Sequence, residues 1–269
     1  MKPKKILVIR KMSALEYYYG GKHESAIINE SDRCHNTSIQ QIKNILEEAK
    51  VDFDIITRRE LSETLMKKYD AVISAGGDGT VIAVAAYNVN TPQLNLKTDT
   101  RSVGAICQQD LTKSLKLFLE GKYKIEEWQR QDVFLNGDFM GTALNETCIG
   151  EGLKFNKLAR YKIKFLDKQT GDYVEESQSG SGLIIVTGLG SGAWPSAFET
   201  YSSSATHFKF RNLLIHSGEI ECGEAMELEI EYKAHEGKFA IDTKEFDFPR
   251  DSKLQIKLSR NPLRIVVPE

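Results

Sequence analysis

Apolar and polar positions follow two different periods along this chain, and the period changes near residue 122. "KILVIR" (5–10) is a short β-branched run, and "TSIQQIKNILEEAKV" lines up Ile39, Ile42, Ile45, Leu46 and Ala49 on one helical face. Next, "DFDIITR" (52–58) reads as strand, "ELSETLMKKY" as helix, "AVISA" (71–75) as a buried strand and "TVIAVAAYN" as helix. "PQLNLK" (92–97) is a further strand, and Leu111, Leu115, Phe118 and Leu119 mark a further helix. Strands alternating with helices predict βαβ units, and so a parallel sheet with helices on its faces.

Beyond residue 122 the pattern becomes one of strands separated by turns. "DVFLNGDFMGTAL" carries Asn136-Gly137 between two apolar runs, a strong hairpin signal, and "ARYKIKFLDKQTGDYVEE" reads as a second hairpin turning near Gly171-Asp172. "MELEIEY" (226–232), "KFAID" (238–242), "KLQIKLS" (253–259) and "LRIVV" (263–267) continue the theme. The expectation is two domains, an α/β domain over 1–120 with a Rossmann-like parallel sheet and a β-rich, sandwich-like domain over 121–254. With no Pro/Ser linker between them, a cleft at their junction is the default ligand site.

Composition narrows the function classes. The 36 basic and 38 acidic residues leave a net charge of −2, which argues against a nucleic-acid footprint. No apolar run approaches the ~18 residues of a membrane span, and the opening "MKPKKILVIRK" has too short an apolar segment for a signal peptide, so a cytoplasmic setting is expected. Cys34, Cys107, Cys148 and Cys222 form no C-x-x-C pair and read as reduced thiols. His23, His35, His207, His216 and His235 fall at no metal-ligand spacing, so no protein-held transition metal is expected.

The chemistry concentrates in three segments. In "DAVISAGGDGTVIAVAA" a buried strand runs into Gly76-Gly77-Asp78-Gly79-Thr80. Strands of open α/β folds bind ligands at their carboxyl ends, glycines let a phosphate approach the backbone, and the first amides of the next helix supply donors. A carboxylate in such a turn repels phosphate unless it also accepts a proton from an attacking alcohol or touches Mg²⁺ carried by the phosphates. The plainer alternative makes Asp78 a helix cap. "GTALNETCIGEG" (141–152) sets Asn145 and Glu146 at a strand end, suited to sugar hydroxyls or a purine edge, or simply a polar strand end. "SGSGLIIVTGLGSGAWPSAF" (179–198) repeats the strand, glycine turn and helix design, with Trp194 in the expected helix as a base-stacking or structural ring.

Taken together, GGDGT at 76–80, Asn145-Glu146 and "GLIIVTGLGSGAW" (182–194) resemble the NAD kinase family. "ALNETCIGEGL", "TGLGSGAW" and "KTDTRSVGAIC" (97–107) are most similar to its mitochondrial-type branch, and the resemblance runs the length of the chain. It implies phosphorylation of the 2′-hydroxyl of the adenosine ribose of NAD or NADH to give NADP(H), with Mg²⁺ and ATP as donor. It also implies a two-domain fold whose segment 255–269 returns to the first domain, and a homodimer. By resemblance Asp78 is the general base, and Gly76, Gly77, Gly79 and Thr80 bind phosphate. Asn145, Glu146, Thr187, Ser191, Ala193, Trp194 and Asp242 join Asp78 in holding the dinucleotide. The chain departs from the common bacterial pattern at Ser181, where an aspartate is usual, at Gly188-Leu189 and at Gly192-Ala193-Trp194. The choice between NAD and NADH stays open, as does the donor among triphosphates and polyphosphate.

A carboxylate cannot ionise a ribose hydroxyl outright; it can take the proton late, assistance typically worth ~10²–10⁴-fold. Charge on the transferred group then needs cations. Lys11, Lys97, Arg101 and Lys157 are candidates, each also readable as a solvated surface charge, and Arg101 is preferred because "TDTRS" follows the strand 92–97 and a guanidinium fork suits phosphate. A magnesium ion is expected to ride mainly on donor phosphates, with no protein-built metal site. The alternatives are a lipid or sphingoid-base kinase using the same GGDGT, and a nucleotide-binding regulator without turnover.

Overall fold

The computed structural model describes residues 2–20, 24–99, 101–152, 157–193 and 198–269. The chain forms two compact units, one of residues 1–127 with 263–269 and one of residues 128–262.

The first unit is built on a six-stranded sheet. Its strands are β1 (Lys5–Arg10), β2 (Asp52–Thr57), β3 (Ala71–Gly76), β4 (Gln93–Lys97), β5 (Tyr123–Trp128) and β17 (Leu263–Pro268), in the order β2-β1-β3-β4-β17-β5. The pairs β1/β2, β1/β3, β3/β4 and β4/β17 are parallel. In β1 every residue from Ile6 to Ile9 is fully buried. Ile6 and Val8 face Ile42 and Leu46 of α2 (Ala26–Glu48) and Leu115 and Phe118 of α5 (Leu111–Glu120), whereas Leu7 and Ile9 face Met66 and Val84 on the other side. A strand covered on both faces has no polar positions to alternate with, which is why "KILVIR" and "AVISA" read as continuous apolar runs.

Two further helices follow strand ends: α1 (Ala14–Tyr19), opened by a Ser13/Glu16 capping box, and α4 (Asp78–Ala85). The expected helix in "ELSETLMKKY" is a correction. The helix is a single turn, α3 (Glu63–Met66), opened by the Ser62 cap; the chain before it ends a 3₁₀ turn, Arg58–Glu60, and is extended at Leu61.

The second unit is antiparallel throughout. Its strands are β6 (Gln131–Leu135), β7 (Asp138–Ala143), β8 (Glu146–Glu151), β9 (Ala159–Asp167), β10 (Tyr173–Gly180), β11 (Gly182–Val186), β12 (Phe208–Leu213), β13 (Cys222–Tyr232), β14 (Gly237–Ile241), β15 (Lys244–Phe248) and β16 (Lys253–Leu258). The order is β15-β14-β8-β11-β12-β13-β16-β6-β7, with the β9/β10 hairpin paired to β13. Asn136 and Gly137 turn the β6/β7 hairpin with φ of 51° and 93°, both positive as a type I′ turn requires. In β13, Leu228, Ile230 and Tyr232 are buried against Phe165, Phe210 and Ile256, while Glu227, Glu229 and Glu231 face outward. The α/β first unit and β-rich second unit are the fold class expected from the sequence.

Candidate functional site

In the first unit the chain leaves β1 towards β2 on one side and returns to β3 on the other, so the order reverses between β1 and β3. Such a switch point, at the carboxyl ends of the strands, is where open α/β sheets take ligands. Lys11 follows β1 and donates its amide to Ala75 O at 3.1 Å, and Thr98 follows β4 and donates to Gly76 O at 3.0 Å. Three strand ends therefore meet at the glycine turn.

Gly76 closes β3, Gly77 is the N-cap of α4, and Asp78, Gly79 and Thr80 form its first turn. Gly76 has a steric reason: a Cβ there would stand 2.1 Å from Thr80 Oγ1. Asp78 is half-buried and is not the cap. Its carboxylate reaches sideways to accept the amides of Ala105 at 3.0 Å and Ile106 at 3.1 Å. The loop after β4 thus grips the acid, turned by Gly104 at φ +55°. The buried Cys107 thiol lies 3.8 Å from Asp78 Oδ1, and burial with that neighbouring charge pushes it up to about 12, leaving it inert as a nucleophile.

The candidate cations have different fates. Lys11 lies 3.6 Å from Asp99 Oδ2, and Arg101 bonds Asp99 Oδ1 through Nε at 3.2 Å and Ile27 O at 2.8 Å. Lys97 donates to Gln109 Oε1 at 3.0 Å. Burial opposes the charge on Asp99, but the Ser31 hydroxyl, the Arg101 amide and guanidinium and the Lys11 ammonium outweigh it and hold the carboxyl at about 2. Asp99 is therefore a permanent anion that orients Lys11 and Arg101. Beside it a cleft of about 370 Å³ is lined by Arg33, Ser38, Lys97, Thr98, Asp99 and Gln109, among others. Lys157, in the second unit, pairs with exposed Glu236 at 2.8 Å.

Sequence reasoning missed Asp99, although it sits two residues before Arg101. It also missed His35, a buried residue whose ring nitrogens meet Lys11 O at 3.0 Å and Thr98 Oγ1 at 2.8 Å. Metal-ligand spacing could not find a histidine that bonds to backbone and hydroxyl. The usable signal was its helical register with Ile39 and Ile42.

In the second unit Leu144 and Asn145 connect β7 to β8, which Glu146 opens. Asp242, in the two-residue turn between β14 and β15 at φ 50°, fixes that connection. Its Oδ2 accepts the Leu144 amide at 2.8 Å, and its Oδ1 accepts those of Asn145 at 2.8 Å and Glu146 at 3.1 Å. Burial pushes the Asp242 carboxyl up, against the three amides that favour its charged form.

Thr187 donates its hydroxyl to Leu144 O at 2.6 Å and its amide to Asn145 O at 2.9 Å, and it accepts the Gly190 amide at 3.1 Å. Ser191 donates to Gly188 O at 2.6 Å and accepts the Tyr201 amide at 3.2 Å. Gly190 packs so closely that a Cβ would stand 2.0 Å from Asn145 O. Thr187, Ser191 and Asp242 thus spend their polar atoms on the scaffold, while Gly192 and Ala193 are exposed after it. A 3₁₀ turn, Gly190–Gly192, opens the segment expected to be helical, and Trp194 lies outside the described residues. Ser181 is buried, with its amide donated to Leu213 O at 2.7 Å.

Curated relatives of this chain are NAD kinases. Mitochondrial NAD kinase 2 of Rattus norvegicus is 26% identical over 213 residues, covering 61% of this chain and 49% of that protein. The NAD kinase of Picrophilus torridus is 25% identical over 154 residues, covering 52% of this chain and 53% of that one. The chain spans about half the length of these relatives. No family model matches it. Among solved structures, an Archaeoglobus fulgidus NAD kinase in complex with ATP superposes with a TM-score of 0.73 at 18% identity, over 98% of this chain and 94% of that one. A yeast NADH kinase complexed with NADH superposes with a TM-score of 0.76 at 14% identity, over 99% and 84%. The fold is that of these solved NAD kinases.

Proposed function

We propose that this chain is itself an NAD kinase, transferring a phosphoryl group from ATP to the 2′-hydroxyl of the adenosine ribose of NAD or NADH. One observation carries the reading: Asp78, a half-buried carboxylate in a glycine turn at the switch point of a fold shared with NAD kinases, gripped by two backbone amides. That grip fixes the side chain while leaving it lone pairs for an incoming hydroxyl. As bonding to phosphorus develops, the hydroxyl proton passes to Asp78, and the rest of the acceleration comes from alignment and from charge on the transferred group. Gly77, Gly79 and the first-turn amides of α4 suit the phosphates, and Lys11 and Arg101, oriented by Asp99, suit the developing charge.

Asn145 and Glu146, held from beneath by Asp242 and Thr187, are the proposed dinucleotide contacts, with Ala193 and Trp194 at the end of the second glycine loop. Among the described residues no group of three His, Cys, Asp or Glu converges to hold a metal ion. Magnesium in this reading is carried by phosphate oxygens, where it would neutralise charge on the donor. The mitochondrial-type resemblance supports a homodimer, which light scattering after size exclusion reads directly. Among the described residues no helix is long and apolar enough to cross a membrane, and a cytoplasmic setting is part of the proposal.

The test is incubation with ATP, Mg²⁺ and NAD, NADH or diacylglycerol in parallel. NADP or NADPH is the expected product, and Asp78→Asn should lower kcat by ~10²–10⁴-fold while calorimetry still detects NAD binding. A phospholipid product would replace the reading with a lipid kinase. Tight NAD binding with no product from any donor would replace it with a regulator.

A further inference from the structure

His35 is fully buried in the N-terminal half of α2 and has no part in the chemistry above. Its ring lies between two strand extensions. A carbonyl oxygen can only accept, so the contact with Lys11 O makes Nε2 the protonated nitrogen; Nδ1 is then bare and accepts the Thr98 hydroxyl. Lys11 extends β1 and Thr98 extends β4, the two neighbours of β3. Both extensions also pair with β3's last two residues, Ala75 and Gly76. The imidazole therefore joins the flanking strands across the end of the strand that delivers Asp78.

The rest of this helix face does similar work. Asp32 accepts the Ser13 hydroxyl at 2.5 Å, Ser31 donates to Asp99, and Ser38 donates to Thr98 O at 3.1 Å. Burial, and then the Lys11 ammonium, push His35 down to about 4, so the ring is neutral at physiological pH. An apolar side chain would fill the volume but leave the Thr98 hydroxyl and Lys11 carbonyl without this partner.

We infer that His35 is a positioning residue for phosphoryl transfer, a clasp whose two hydrogen bonds set the spacing of the β1 and β4 extensions and so locate Lys11, Asp99, Arg101 and the Asp78 turn. The inference rests on the kinase reading for its activity arm alone. Every group the clasp holds belongs to the first unit, so its loss slows turnover more than it weakens dinucleotide capture.

The experiment compares the full chain with His35→Ala, Thr98→Val and the double variant. His35→Ala should lower kcat about tenfold to a hundredfold, with the KM for NAD within about twofold. Thr98→Val, which keeps shape and removes one hydroxyl, should lower kcat less, and the double variant should be no slower than His35→Ala. Amide NMR shifts of Gly77, Asp78 and Gly79 should move in both single variants while those of Leu144–Glu146 stay fixed. Additive losses, an unchanged kcat despite a lowered Tm, or unmoved shifts at Gly77–Gly79 would each overturn the clasp. If the wild-type chain makes no NADP, the kinase reading fails and the NMR arm still decides the clasp.

Discussion

At the scale of single residues, burial decides which charges exist. His35 has a folded-state value of about 4 against an ordinary 6.5, and it is faced by Lys11 and Arg10 at the end of β1 and by Glu16 of α1. Between those values the unfolded chain binds the proton that the folded chain refuses, so stability rises with pH across the window. We expect a loss on the order of 3 kcal/mol on lowering the pH from 7 to about 4 that His35→Ala does not show, measured by urea unfolding at each pH. Equal pH slopes in the two proteins would count against it. Asp99, held at about 2 against an ordinary 3.8, loses its own stabilisation mainly below about pH 4 and adds little to this window. Asp78, Asn145 and Glu146 stand out as candidates in the sequence because each sits in a short motif. The contacts that join Asp99 to Ser31 and His35 to Thr98 span 68 and 63 residues, and no local pattern conveys them.

At the scale of elements, periodicity exposed what is amphipathic and concealed what is not. The C-terminal half of α2 was plain from Ile39, Ile42 and Leu46, but its first half, "AIINESDRCHN", turns a polar face to the strand ends and has no apolar stripe to find. α1 was overlooked although Ser13 and Glu16 spell a capping box. The Asn136-Gly137 hairpin was legible because its turn demands positive φ at both positions. What no pattern conveyed is that the β14/β15 turn lies under the β7/β8 connection. Asp242→Ala should release three amides there at a cost on the order of 1–3 kcal/mol. Hydrogen exchange of Leu144, Asn145 and Glu146 should quicken and the KM for NAD should rise; unchanged exchange at those amides would refute the support.

At the scale of the whole molecule, "LRIVV" announces a strand but not its partners. As β17 it enters the first unit's sheet between β4 and β5, with Leu263, Ile265 and Val266 at 2% exposure or less. Each such side chain contributes ~1.5–3 kcal/mol by burial, a sum comparable with the 5–15 kcal/mol that stabilises a typical domain. Ending the chain at Pro262 should therefore abolish cooperative unfolding of the first unit and leave β4 open to proteolysis. A truncated chain with first-unit amides still protected would contradict this. β17 follows every strand of the second unit along the chain, so during synthesis the first unit's sheet waits incomplete while the second unit, whose strands all lie between 128 and 262, has the means to mature first. Of the two units, the one begun first is completed second, and chaperone demand during translation should fall on it.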